Sequence, residues 1–112
     1  MKTTVFDKPQ FVEGLTIRVA PEDVEKYLQI EKDVWFDDLA TLPGFLGCET
    51  WISETNPGEV TQFYFWESEE AFLSVPEDFA EDHKRRTNEA IDNVFVKAWH
   101  AEDKRYRLRV FE

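Results

Sequence analysis

The chain has 112 residues, with 24 acidic side chains against 13 basic ones and a net charge of −11. That length suits one domain able to build its own core without disulfides or a structural metal. The negative excess repels phosphate backbones and anionic lipid, which excludes nucleic acid and membrane surfaces as natural partners and leaves solubility as its plain meaning.

The single cysteine, Cys48, has no intrachain partner for a disulfide, and Met1 to Pro9 lacks the apolar run of a signal peptide. With no window that approaches a membrane span, the expected location is the cytoplasm. Ten Phe, four Trp and three Tyr make up 15% of the residues. Such a share of aromatics lines an apolar cavity, or buries a sheet face against a partner, or does both.

Residues 1–11 carry no period and read as an N-terminal arm, with a single domain over 12–112. From Val12 to Val19 the chain alternates, Leu15, Ile17 and Val19 on one face and Gly14, Thr16 and Arg18 on the other, as a half-buried strand does. Pro21, Glu22 and Asp23 open a helix, since proline suits the first turn and carboxylates complement its positive end. Apolar residues at spacings of three and four carry that helix from about Glu22 to Thr41. Pro43-Gly44 then breaks it: proline disfavours helical geometry at Leu42, and glycine can take a left-handed turn.

Leu46 to Ser53 and Val60 to Trp66 flank the turn cluster Glu54-Thr55-Asn56-Pro57-Gly58 and predict an antiparallel hairpin. Ser68 precedes Glu69-Glu70-Ala71-Phe72-Leu73 as an N-cap, and after Pro76 a second long helix runs from Glu77 to about Ile91. Asn93 to His100 predicts the fourth strand, and the alternation from Lys104 to Phe111 a terminal one. The order βαββαβ plus a C-terminal strand is the ferredoxin-like α+β plan, a four-stranded antiparallel sheet with two helices on one face. Its other face needs cover, and a second copy of the same sheet is the economical solution.

This plan, the Pro43-Gly44-Phe45 corner, and the segment Phe63-Tyr64-Phe65-Trp66-Glu67-Ser68-Glu69-Glu70-Ala71-Phe72 resemble the dimeric α+β barrel superfamily. Within it the likeness is to the antibiotic-biosynthesis-monooxygenase type, over about residues 12–100, and to a small, mainly cyanobacterial branch. The resemblance implies a homodimer, or a higher assembly of such dimers. It constrains activity less, since members include cofactor-free oxygenases, haem-degrading enzymes, isomerases, dehydratases and proteins without known activity. The haem-degrading members need an Asn on strand one, a Trp before the second long helix and a His on it. Only the histidine has a counterpart, His83; Gly14 or Leu15 and Val75 occupy the other two places. Haem degradation is disfavoured on that ground.

Glu31 interrupts the apolar stripe of the first helix, one turn from both Leu28 and Trp35. A carboxylate on a buried stripe has a raised pKa and suits proton transfer, although the stripe's edge is also open to it. His83 and His100 are the imidazole candidates, the first on a helix dense with charge and the second at a strand end. No His or acid spacing fits a metal, and no cofactor is implied. Trp35, Trp51, Tyr64, Trp66 and Trp99 could line a pocket for an aromatic ligand or pack core and dimer. Arg18 could pair with Glu49 or Glu13, or bind a carboxylate.

These residues leave two readings. One is a cofactor-independent, monooxygenase-like enzyme acting on an apolar or aromatic small molecule, with Glu31 or a histidine as base. The alternative is a non-catalytic dimeric module that binds a hydrophobic ligand or a protein partner.

Overall fold

The computed structural model describes residues 10–94 and 100–107. Its strands are β1 (Phe11–Arg18), β2 (Phe45–Ile52), β3 (Glu59–Trp66) and β4 (His100–Arg107). A 3-10 turn, Pro21–Asp23, leads from β1 into helix α1, Val24–Ile30. The helix continues as wide π-type turns over Glu31–Phe36 and ends as α2, Asp37–Leu39. Helices α3 (Glu69–Leu73) and α4 (Glu77–Val94) connect β3 to β4.

All neighbouring strands are antiparallel and the sheet order is β2-β3-β1-β4. This is the ferredoxin-like arrangement. Register decides which side chains share a face, because directly paired residues point the same way. Ile17 pairs with Val60, Leu15 with Gln62 and Glu13 with Tyr64, while Cys48 and Thr50 of β2 stand opposite Tyr64 and Gln62. This set lies under the helices. Two core clusters form there, Ile17, Val19, Tyr27 and Ile30 in one, Phe11, Leu39, Tyr64 and Trp66 in the other, with Leu15 packed against both. The opposite face carries the pairs Thr16–Thr61, Gly14–Phe63 and Val12–Phe65, with Trp51 beside Thr61.

The Pro43-Gly44 corner ties the two halves of the chain together. Gly44 has φ +81°, and a Cβ there would stand 2.5 Å from the Ala71 Cβ. Its carbonyl accepts the Glu67 N–H at 2.9 Å, which holds the start of β2 against the approach to α3. Ser68 caps α3 as its type predicts, its hydroxyl accepting the Ala71 N–H at 3.0 Å.

Two expectations shift. The first helix is not uniformly α-helical: wider turns begin at Glu31. Each such turn holds about one residue more than an α turn, and beyond them Leu39 is buried while Asp38 stays partly exposed, as the apolar spacing expects. The fourth strand lies later than Asn93 to His100, because α4 carries through Asn93 and Val94 and β4 is His100–Arg107. Ion pairs one turn apart, Asp82 with Arg86 and Arg85 with Glu89, support that helix independently of apolar spacing. Residues 95–99, and 108–112 of the terminal strand, lie outside the described residues.

Candidate functional site

Tyr27 and Glu31 are four residues apart on the first helix and so face the sheet together. Glu31 is only 5% exposed. The Tyr27 hydroxyl donates to Glu31 Oε1 at 2.5 Å. From β3, the Tyr64 hydroxyl reaches Glu31 Oε2 at 3.2 Å and Gln62 Oε1 at 3.1 Å. The carboxyl is therefore held from the helix side by one phenol and from the sheet side by another.

Beside it opens a cavity of about 310 Å³ lined by Leu28, Glu31, Lys32, Phe36, Cys48, Thr50, Gln62 and Tyr64. That is the lower end of small-molecule site sizes, and the mixture of apolar wall with a few convergent polar groups is what such sites need. Burial raises the Glu31 pKa above its ordinary 4.5, against the opposing hydrogen bonds from Tyr27 and Tyr64. Burial, with the Glu31 charge adding to it, also pushes both phenols up. The Cys48 thiol is pushed up to about 12, by burial first and then by Glu31, so it stays neutral and unreactive as a nucleophile.

A second, smaller cavity of about 210 Å³ lies along the same sheet face, between Glu13, Trp66, Phe72, Phe79 and Arg105. Burial and the neighbouring Asp103 raise Glu13 to about 7, with Arg105 pulling the other way. The Arg105 guanidinium sits 4.8 Å above the Phe72 ring. Trp66 is 2% exposed and its buried indole N–H has no hydrogen-bond partner among the described residues. The Glu13 carboxyl thus belongs to a charged network on the edge strand β4, whereas the hydrogen-bond partners of Glu31 among the described residues are phenols.

The structure brings together three of the residues singled out by sequence, Glu31, Tyr64 and Trp66, on the helix side of the sheet. His83 is fully buried elsewhere, in the seam between α2 and α4. Its ring meets Phe79 edge-on at 4.5 Å and its Nε2 lies 3.7 Å from Asp38. Burial lowers its pKa, with Asp38 opposing. Arg18 ends β1 and pairs with Glu59 at 3.0 Å, not with Glu49 or Glu13. Trp51 is on the open sheet face, 62% exposed, donating its indole N–H to Glu49 at 3.1 Å. The backbone of Trp35 lies in the wide-turn segment, and His100 opens β4 opposite Arg18, at the sheet end occupied by Glu59. Trp99 lies outside the described residues.

Tyr27, which holds Glu31, and the cavity-lining Lys32, Thr50, Gln62, Glu13 and Arg105 were not among the site candidates of the sequence. The spacing of Tyr27 from Glu31 was a usable signal. Gln62 and Glu13 needed the strand register, which the linear sequence does not contain.

The sequence model of the antibiotic biosynthesis monooxygenase family matches residues 11–75. No curated protein matches the chain. Among solved structures, a monooxygenase of Streptomyces coelicolor in complex with nanaomycin D is similar at a TM-score of 0.70 and 20% identity, over 93% of this chain and 91% of that one. SnoaB, a cofactor-independent oxygenase from Streptomyces nogalater, is similar at 0.59 and 16% identity, over 92% and 96%. A dimeric ferredoxin-like protein from an uncultured marine organism is similar at 0.64 and 14% identity, over 95% of each chain. At these identities the structural likeness shows a shared fold. The family match spans more than half of the sequence, from the first strand through α3, and on that basis the chain belongs to the antibiotic biosynthesis monooxygenase family.

Proposed function

We propose that this protein is a cofactor-independent, monooxygenase-like enzyme that acts on an apolar, aromatic small molecule in the Glu31 cavity. One observation carries the reading: a buried carboxyl, held by two phenols, opens onto a mostly apolar cavity of about 310 Å³. Family membership and the similarity to two oxygenases support it.

The substrate class follows from the chemistry. A single carboxylate can remove a proton only from a carbon or oxygen acid already activated, such as the methylene of an anthrone or a phenolic hydroxyl. The resulting aromatic anion is electron-rich enough to reduce dioxygen itself. For a methylene the balance is CH2 plus O2 giving C=O plus water, with the substrate supplying all the electrons. Glu31 takes the first proton, the Tyr27 hydroxyl fixes its Oε1, and Leu28 and Phe36 give the anion an apolar wall.

The open sheet face completes the proposal. Thr16, Thr61 and Phe63 are half-buried there and Trp51 is exposed, a surface that a second copy of the sheet would cover. A dimeric ferredoxin-like protein among the structural neighbours supports that assembly.

Dioxygen uptake with anthrone as probe tests the reading. The wild type should consume dioxygen at one equivalent per anthrone, and Glu31→Gln should lower kcat/KM by about 10²- to 10⁴-fold, the usual contribution of a general base. No uptake above the spontaneous rate with anthrone or a hydroquinone, or equal rates for wild type and variant, would contradict it.

A further inference from the structure

The Tyr64 oxygen stands between two acceptors, Glu31 Oε2 at 3.2 Å and Gln62 Oε1 at 3.1 Å, yet a phenol carries one hydrogen. It cannot donate to both. Tyr27 already commits its own hydrogen to Glu31 Oε1. If Glu31 is a neutral acid, the chain of hydrogens is complete: Glu31 Oε2–H donates to Tyr64, and Tyr64 donates to Gln62 Oε1. If Glu31 is a carboxylate, Tyr64 must donate to it, and the Gln62 oxygen is then left facing a lone pair. A half-turn of the Gln62 amide removes that conflict by presenting its NH2 to the Tyr64 oxygen. The amide oxygen and nitrogen have nearly the same shape, so the turn needs no repacking.

We infer that Gln62 and Tyr64 form a hydrogen-ordering relay, in which reversal of the Gln62 amide lets one set of side chains hold Glu31 either as an acid or as a carboxylate. Gln62 is thus a positioning residue that acts on Glu31 through Tyr64. The inference rests on the proposed role of Glu31 as a base, because a base must pass between the same two states in each turnover. Gln62 suits the task by its burial at 4% exposure, which leaves its amide little access to solvent. The other groups around the carboxyl do not substitute for it. Cys48, from β2, is a neutral thiol; Tyr27, from α1, is committed to Oε1; Lys32, from the wide-turn segment, is an exposed cation at the cavity wall.

The test uses the whole protein without substrate, so its outcome is independent of whether anthrone is turned over. Carbon-13 labelling of glutamate carboxyls gives a titration for Glu31, identified as the signal missing from Glu31→Gln. Gln62→Met removes the acceptor used in the neutral state and the NH2 donor used in the carboxylate state; the first loss costs more, because it leaves a buried hydroxyl hydrogen without a partner, while the second leaves only an unmet lone pair on a Tyr64 oxygen that still donates to Glu31. Its Glu31 midpoint should fall by about one pH unit, the size expected for one buried hydrogen bond. Tyr64→Phe removes a donor to the carboxylate, and its midpoint should rise. Midpoints that stay put, or move in the same direction in both variants, would overturn the relay. In the wild type, which avoids any folding defect of the variants, the Gln62 side-chain NH2 resonances should titrate with the Glu31 midpoint; resonances indifferent to pH would overturn it equally.

Discussion

At the scale of single residues, two carboxyls have raised pKa values, Glu31 and Glu13. Glu31 must lose its proton to serve as a base, and its pKa is raised by burial. The rate should therefore rise with pH through that raised midpoint and level off above it. A pH profile of kcat/KM with anthrone checks this, and an inflection at the ordinary carboxylate range near 4.5 would count against it. Glu13 makes the complementary prediction for stability. Its folded-state pKa of about 7 lies above its ordinary 4.5, so the unfolded chain releases this proton first as pH rises. The stability Glu13 contributes is complete below about pH 4.5 and is lost up to about pH 7. Glu13→Gln cannot ionise and should gain on the wild type over that window, by about 3 kcal/mol at most. Chemical denaturation at pH 4.5 and pH 8 measures the difference, which should widen at the higher pH. Glu31 was legible in the sequence as a charge on an apolar stripe. Glu13 was not, because its alternation places it among inward residues while its chemistry suggests the outside.

At the scale of elements, the first helix shows how local geometry arranges a site. The wide turns run from Glu31 to Phe36, and Leu39 lies in the core beyond them. Asp38 sits at the side of the helix, where it pairs with Arg86 and approaches His83. The spacing of apolar residues carries no sign of a wide turn. The following corner was legible from Pro43-Gly44 alone, and it makes a sharp prediction. Gly44→Ala would add left-handed strain at φ +81° and press a methyl against Ala71, 2.5 Å from its Cβ. The expected loss is about 2 kcal/mol or more, read as a fall of roughly 10 °C in Tm. The fourth strand was misplaced for a different reason. Val94, Val96 and Ala98 alternate as a strand would, but α4 runs through Val94.

At the scale of the whole molecule, the ferredoxin-like plan was readable because turn chemistry and two distinct periodicities mark every early element. The pairing of strands, and so the meeting of Glu31 with Tyr64 and Gln62, was not, because register joins residues far apart in sequence. The same register gathers Thr16, Thr61 and Phe63 on the open face, with the two threonine hydroxyls 2.9 Å apart. If that face is the dimer interface, Thr61→Glu places a charge at its centre. Sedimentation should then show a monomer, where the wild type sediments as a dimer.

The most direct test of the central claim, a buried carboxyl with a raised pKa beside a cavity, is the carboxyl titration of Glu31 in the wild-type protein. The account predicts one glutamate signal, absent from Glu31→Gln, whose midpoint lies clearly above the ordinary 4.5. A Glu31 signal that titrates at the ordinary value would contradict it.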